Sequence, residues 1–448
     1  MTLTRALATY VKNIEFSSIP TEVIGHAKLC LLDWLGCAMA GSLERPAKIA
    51  KELITSMGGI NESTVVGTAI RTSSPYAVLV NGIFGHCIEL DDIHEESIIH
   101  PAASVVPAAL AICEKEKSSG ADLLTSIVSG YEVEIRIATG VMPSHYRYWH
   151  TTGTCGTFGA TAAAGKLLSL EVNELVHAFG IAGTQASGLV EVFGTMSKPL
   201  NAGKAAMNGV IAALLAQKGF TSSDRILEAD KGYCKATSEK FDPSKILAKR
   251  EVFEITRNVF KRHSCCGHMH GALDAVLAIL DETPIQVGDI RKVKVGTYPI
   301  AFEVVRGATR PSSASEARFS LPHCVALAVV CGRVGPAEFA GKRFSDDTVF
   351  GLSKRVSVEV DPELTGARLG AAIVEVELAN GSKIRRRVDH PKGHPENPLS
   401  QTELEEKFRS LVSPVLNEAD ATCLIEMTRD LENLSQLENL FALLHVDK

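Results

Sequence analysis

The chain has no excess of basic residues, no Cys-x-x-Cys pair and no apolar run of membrane-spanning length, and each absence removes a class of function. Lys and Arg number 46 against 52 Asp and Glu, a formal charge of −6. Broad nucleic-acid binding needs a basic face, so no nucleic-acid partner is expected and any positive site must be local. The cysteines number 11, an odd count. They read as free thiols in a reducing cytoplasm rather than as a disulfide framework. No stretch reaches the roughly 18 uninterrupted apolar residues of a membrane helix, so no membrane partner is expected. Met1 to Ser18 carries Arg5, Lys12 and Glu15 and is unlike a signal peptide; His445-Val446-Asp447-Lys448 carries no lipidation signal. A cytoplasmic location is the expectation. Fixed-period repeats and low-complexity segments are also missing.

What is present is an ordinary globular composition, 45% hydrophobic and 22% charged. At 448 residues the chain is too long for one compact core and predicts two domains. Val23 to Met39, Pro101 to Lys115 and Leu123 to Thr139 read as helices, with Pro107 expected to shift or kink the start of the second. Thr151 to Leu168 sets Gly153, Gly156, Gly159 and Gly165 among alanines, and Ala202 to Lys218 repeats the theme with Gly203 and Gly209. Glycine costs an exposed helix about 1 kcal/mol relative to alanine. Such runs therefore predict close approach by another helix or by a ligand. After Cys266 the texture changes. Arg291 to Tyr298 and Val356 to Val360 alternate polar and apolar, and Val374 to Leu378, Asn380-Gly381 and Ile384 to Val388 read as a hairpin. The predicted fold is mainly α with an α+β second domain. Residues 1–262 are expected to form a large helical domain, 263–396 a smaller α+β domain, and 397–448 to return as helices to the first domain, which is thus discontinuous.

Four stretches carry chemistry. The first, Glu89 to His100, holds Glu89, Asp91, Asp92, His94, Glu95, Glu96 and His100 beside an apolar segment. Glu95 and Glu96 read as a solvated acidic face. His100 precedes Pro101 at the mouth of a buried helix, where it would point into a cleft. Asp and His invite a metal, but no His-x-x-x-His spacing within the stretch supports one. The second, His145 to His150, leads an imidazole into the glycine-rich helix; it titrates near neutral pH or is a buried histidine bonded to backbone. The third is Lys198-Pro199, read as a loop lysine in apolar company that either snorkels or meets an anion. The fourth, Arg262 to His270, pairs Cys265 and Cys266 with His263, His268 and His270; its spacing fits no common zinc site, and a buried thiol beside imidazoles suits acid–base work. Acids, imidazoles and one amine together suit proton transfer on a small anionic substrate without a cofactor.

The chain resembles the MmgE/PrpD family, which includes 2-methylcitrate dehydratase, cis-aconitate decarboxylase and iminodisuccinate epimerase. The resemblance rests on Val80-Asn81-Gly82 with the acidic stretch, Trp149-His150 with Gly156-Thr157-Phe158-Gly159-Ala160, and Gly194 to Pro199 with Gly203 and Ala206. It continues through residues 263–270, Ser315 to Ser320 and Pro391 to Ser400. It implies a homodimer with a helical domain, a lid domain and a site between them. The family's site positions fall on Glu89, His100, His150, Lys198 and Cys266. The expected catalytic groups are His100, His150, Lys198 and Cys266; Glu89, Asp91, Asp92 and His270 are expected to bind substrate. No metal and no cofactor are expected. The family's leading acid is usually Asp, where this chain has Glu89. The decarboxylase branch looks one residue shorter between that acid and the histidine, with Thr near Ile93 and His at Cys266. The chain therefore looks closer to the dehydratase and epimerase types. The implied activity is acid–base chemistry next to a carboxylate of a small di- or tricarboxylic acid. Dehydration is favoured over epimerisation, and decarboxylation and a non-catalytic metabolite-binding dimer are further alternatives.

Overall fold

The computed structural model describes residues 1–248, 252–341, 343–366 and 369–446. The first lobe is built from α1 (Thr21–Gly41), α2 (Ser74–His86), α3 (Pro101–Glu116), α4 (Gly120–Val141), α5 (Thr151–Leu167) and α6 (Ser197–Gln217). The lid adds α7 (His270–Glu282) and α8 (Leu321–Cys331) on a sheet of β1 (Ile290–Thr297), β2 (Val356–Val360), β3 (Ala372–Leu378) and β4 (Lys383–Val388). The tail then forms α9 (Gln401–Val412) and α10 (Glu418–Arg429).

The small-residue helices α5 and α6 do press together at the centre of the first lobe, with α3 and α4 against α5 and α2 against α6. A Cβ added at Gly209 on α6 would lie 2.6 Å from Cβ of Ala160 on α5. Where α2 crosses α6, a Cβ at Gly82 would lie 2.6 Å from Cα of Gly203, and one at Gly203 would collide with the carbonyl oxygen of Leu79. That crossing sets the distance between His86 at the end of α2 and Lys198 at the start of α6. Gly203→Ala gains about 1 kcal/mol of helix propensity but forces backbone apart, which costs about 3 kcal/mol or more. A net loss of about 2 kcal/mol is expected in urea unfolding; an unchanged midpoint would contradict this account of the crossing.

Helix α3 starts at Pro101 and runs on through Pro107, so its start is not displaced. Helix α1 is long and apolar enough by composition to cross a membrane. Most of that surface is buried against neighbouring helices, including α2 and α9. The ring and backbone of Phe408 on α9 come within 3.5 Å of a Cβ built at Gly36, so the tail packs into the helical core.

In the lid the strand order is β2-β1-β3-β4, with β1 parallel to β2 and antiparallel to β3. Val295 pairs with Val358 and Val374 in register. Val293 and Val295 face the core beneath α7 and α8 while Lys292 and Lys294 face water, the alternation a half-buried sheet requires. The β3–β4 hairpin turns at Asn380-Gly381, where Gly381 has φ +87°.

Candidate active site

Three helices of the first lobe begin at one place. His100 is the N-cap of α3, His150 the N-cap of α5, and Lys198 lies in the first turn of α6. Lys198 is thus helical rather than in a loop. Pro199 is tolerated there because the first-turn N–H groups have no helical partner to lose. Neither imidazole makes the side-chain capping bond of a Ser or Asp N-cap. Helix N-termini carry partial positive charge. Their convergence makes a local positive field in a chain of net charge −6.

The first-lobe groups Glu89, His100, Tyr146, His150, Phe193 and Lys198 face Cys266, Gly267, His268 and Phe319 of the lid across a cavity of about 20 Å³, with Ile93 and Ile98 along its side. Ile98 and His268 also line an outer cleft of about 770 Å³ that includes His94, Arg257, Tyr298 and His394. Ile98 holds φ +46°, a strained conformation for a β-branched residue.

Lys198 Nζ is 2.8 Å from His86 Nε2 and makes a short ion pair with the Glu89 carboxylate. Glu89 is shared. Lys261 Nζ lies 3.5 Å from its other carboxylate oxygen and donates to its carbonyl at 3.0 Å. Burial alone would raise the Glu89 carboxyl pKa, but Lys198 and Lys261 outweigh it and hold it at about 2. Burial likewise opposes the charge on Lys261, and Glu89 and Asp91 overcome it, so its pKa is raised. Glu89 sits at φ +54°, rare for a side-chain-bearing residue, so the ion pairs hold a backbone that would otherwise relax.

His100 Nδ1 is 2.8 Å from the Asp92 carbonyl, which leaves Nε2 for the cavity. His150 Nδ1 faces Asn201 Nδ2 at 3.4 Å, and its Nε2 has no partner. Burial, followed by the nearby amines and His86, pushes both imidazoles well below the usual histidine range, so both are neutral near pH 7. His268 Nδ1 meets Tyr298 OH at 2.6 Å and its Nε2 is unpartnered; burial lowers its pKa to about 4. Burial and then Glu89 push the Cys266 thiol up to about 12, so it keeps its proton.

Glu89, His100, His150, Lys198 and Cys266 therefore share one cavity, whereas Asp91, Asp92 and His270 do not line it. Asp91 stands behind the imidazoles, 2.7 Å from His86 Nδ1 and 3.5 Å from His100 Nδ1. Asp92 caps α3 by accepting from Ala102 N at 3.1 Å, and it binds Tyr131 OH at 2.6 Å and the Asn258 amide. Burial raises its pKa to about 7. His270 packs edge-on to His263, with ring centroids 5.2 Å apart. Three of the four expected substrate-binding residues thus stand behind the wall, and the fourth, Glu89, lines the cavity. Glu95 is not simply solvated either: it accepts from Leu369 N at 2.7 Å and lies 3.1 Å from His394 Nε2, tying the acidic stretch to the lid. His86, Asp91 and His100 are the one set among the described residues whose donor atoms cluster as metal ligands would. Both His86 nitrogens are already engaged, one by the Lys198 amine, so the set does not fit a cation.

Residues 5–246 match the MmgE/PrpD N-terminal domain, and residues 263–433 match the MmgE/PrpD C-terminal domain. The chain belongs to the MmgE/PrpD family. Its relatives in that family include the cis-aconitate decarboxylase-like protein oryM of Aspergillus oryzae, 28% identical over 99% of this chain and 97% of the relative. Cis-aconitate decarboxylase of Aspergillus terreus is 27% identical over 99% and 96%, and the human cis-aconitate decarboxylase 28% identical over 99% and 94%. The second MmgE/PrpD match runs on through α9 and α10, whose packing belongs to the helical lobe.

His86 and Lys261 are the site residues that sequence reading of this MmgE/PrpD chain missed. For His86 the available signal was an ionisable residue closing an apolar helix; for Lys261, set between Val259-Phe260 and Arg262-His263, the sequence signal was weaker. His86 ends a helix of Val78, Val80, Ile83 and Phe84, and Lys261 follows Val259-Phe260; both are fully buried. A buried charge with no use is costly enough to be informative.

Proposed function

We propose that this protein is a cofactor-free lyase that removes a proton next to a carboxylate of a small di- or tricarboxylic acid and expels a β-hydroxyl, in the manner of a 2-methylcitrate dehydratase. The observation that carries this reading is the meeting of Lys198, two neutral imidazoles and a protonated thiol in one cavity between the lobes. Taking a proton from such a carbon builds charge on a group that is already anionic. Preorganised cations and helix N-termini stabilise that charge where it grows. Lys198 and His150, whose Nδ1 faces the Asn201 amide and so leaves Nε2–H to donate, can orient the carboxylates. His100, whose Nδ1–H is spent on the Asp92 carbonyl, presents an Nε2 lone pair that can accept from a substrate hydroxyl. The Lys198 amine, freed of its proton, acts as base. Cys266, on the lid side, keeps its proton near pH 7 and gives it to the departing hydroxyl, which leaves as water. The cavity holds little more than one water molecule, so substrate enters from the outer cleft as the lid moves away from the first lobe.

Two other outcomes use the same groups. The names of the relatives favour decarboxylation, in which CO2 leaves and the acid protonates carbon. Groups in opposite lobes also suit epimerisation, in which the lid-side acid returns a proton to the other face. Chelator-treated protein incubated in deuterated water with 2-methylcitrate, cis-aconitate and an iminodisuccinate separates them. Loss of water, loss of CO2, and inversion with deuterium at the α-carbon each identify one reaction. The dehydratase reading expects the first, and the absence of turnover and of exchange with all three acids would end the catalytic reading.

A further inference from the structure

Behind the cavity runs a line of hydrogen bonds that the chemistry above leaves unused. Asp91 Oδ2 is 2.7 Å from His86 Nδ1, and His86 Nε2 is 2.8 Å from Lys198 Nζ. His86 has no exposed surface and does not line the cavity, while Lys198 does. The Asp91 carboxylate accepts a hydrogen from Nδ1, so Nε2 presents a lone pair to the amine. In that tautomer the ring is a proton acceptor aimed at the Lys198 amine.

We propose that His86, oriented by Asp91, is the internal proton store that frees the Lys198 amine to act as base. This rests on the acid–base role given to Lys198 above. The charged amine passes one Nζ proton to His86 Nε2, leaving a neutral amine and an imidazolium whose Nδ1–H stays on Asp91. The amine lone pair then takes the proton from substrate carbon. The electrons of that C–H bond form the C=C bond as the hydroxyl leaves with the Cys266 proton as water. The recharged amine next returns one proton to the Cys266 thiolate through water filling the vacated cavity, and the imidazolium hands its stored proton back to Lys198. No net proton is gained or lost.

The surroundings fit this cycle. Glu89 also contacts the amine and by itself would hold the proton there, but Lys261 shares that carboxylate and offsets its charge. The rings of His100 and His150 lie 4.7 and 5.7 Å from that of His86. Both are neutral, so neither repels the imidazolium, and Asp91 supplies its counter-charge. His86 is a positioning and proton-holding residue that never touches substrate.

The test is His86→Gln, whose amide reaches the Nε2 position and accepts from the amine but cannot take a proton. The expected result at pH 7 is a kcat lower by on the order of 10²-fold, with KM within a few-fold. Activity should recover as pH rises, because hydroxide from solvent can then take the Nζ proton that the glutamine cannot accept. An unchanged kcat and pH profile would overturn the proposal, as would a loss equal at every pH, which is what a purely structural role gives. Asp91→Asn, nearly the same shape, is expected to behave alike and serves if the glutamine variant fails to fold. In the unaltered protein, ¹⁵N shifts of labelled histidine should report His86 with hydrogen on Nδ1; hydrogen on Nε2 would also overturn the proposal. Full activity in Lys198→Ala would instead sink the base assignment of the proposed function, which is a separate failure.

Discussion

Lys198→Met is expected to lower turnover by on the order of 10³-fold, within the range for loss of an acid–base group, while the protein stays folded. Methionine keeps the apolar stem, and the Lys198 amine lies 5.4 Å from the ring centres of both Phe193 and Phe319, so there is apolar surface to receive it. The main hazard of removing one partner of a buried ion pair is the charge left behind, a penalty of about 3–5 kcal/mol. Here the abandoned carboxylate of Glu89 still faces Lys261, so most of that penalty is avoided. What is lost is the only amine among the described residues lining the cavity. Steady-state kinetics on whichever acid proves to be a substrate, with a melting curve alongside, checks both halves. A near-normal rate would clear Lys198 of any catalytic part.

The elements that could be read from sequence are those whose signal is local. Alternation in β1 and β2, Asn380-Gly381 between β3 and β4, and the glycine and alanine runs of α5 and α6 each state a period or a turn within a few residues. Pro199 reads as a breaker and so puts Lys198 in a loop, but a first turn has no hydrogen bond for proline to remove, and Lys198 is helical. The acidic stretch resisted reading for a different reason. Between α2 and α3 the chain passes through left-handed residues at Glu89 and Ile98, so no fixed period says which side chains face the cavity. Glu89 and His100 turn into it, and Asp91 and Asp92 turn away toward His86, Tyr131 and Asn258. Residue type gave the chemistry of the stretch, but only the tertiary fold could distribute its roles.

That distribution also changes how the pocket's positive character should be understood. Lys198 and Lys261 are the nearby amines, yet Glu89 is paired with both and Asp91 is paired with His86. Formal charges therefore nearly cancel within a few ångströms. The field that favours an anion comes instead from the starts of α3, α5 and α6 and from the unpartnered Nε2 atoms of His150 and His268. A site built this way keeps its amines buried without accumulating like charge.

Glu89 holds that balance, so Glu89→Gln is expected to remove about 3 kcal/mol of stability at pH 7. The figure follows from a carboxyl held at about 2 in the folded protein against an ordinary 4.5, at about 1.4 kcal/mol per pH unit. The folded-state value is depressed, so the contribution is complete above about 4.5 and is lost as pH falls from there through about 2. Glutamine occupies the same space and can still accept from Lys198, but it leaves two buried amines without their shared counter-charge, a change of the same sign. The gap between the two proteins in urea unfolding should therefore be widest near neutral pH and should narrow by more than half by about pH 3. A gap that stays constant across that interval would mean that Glu89 stabilises through shape alone. The absence of any gap would mean that the cations are held by something other than this carboxylate.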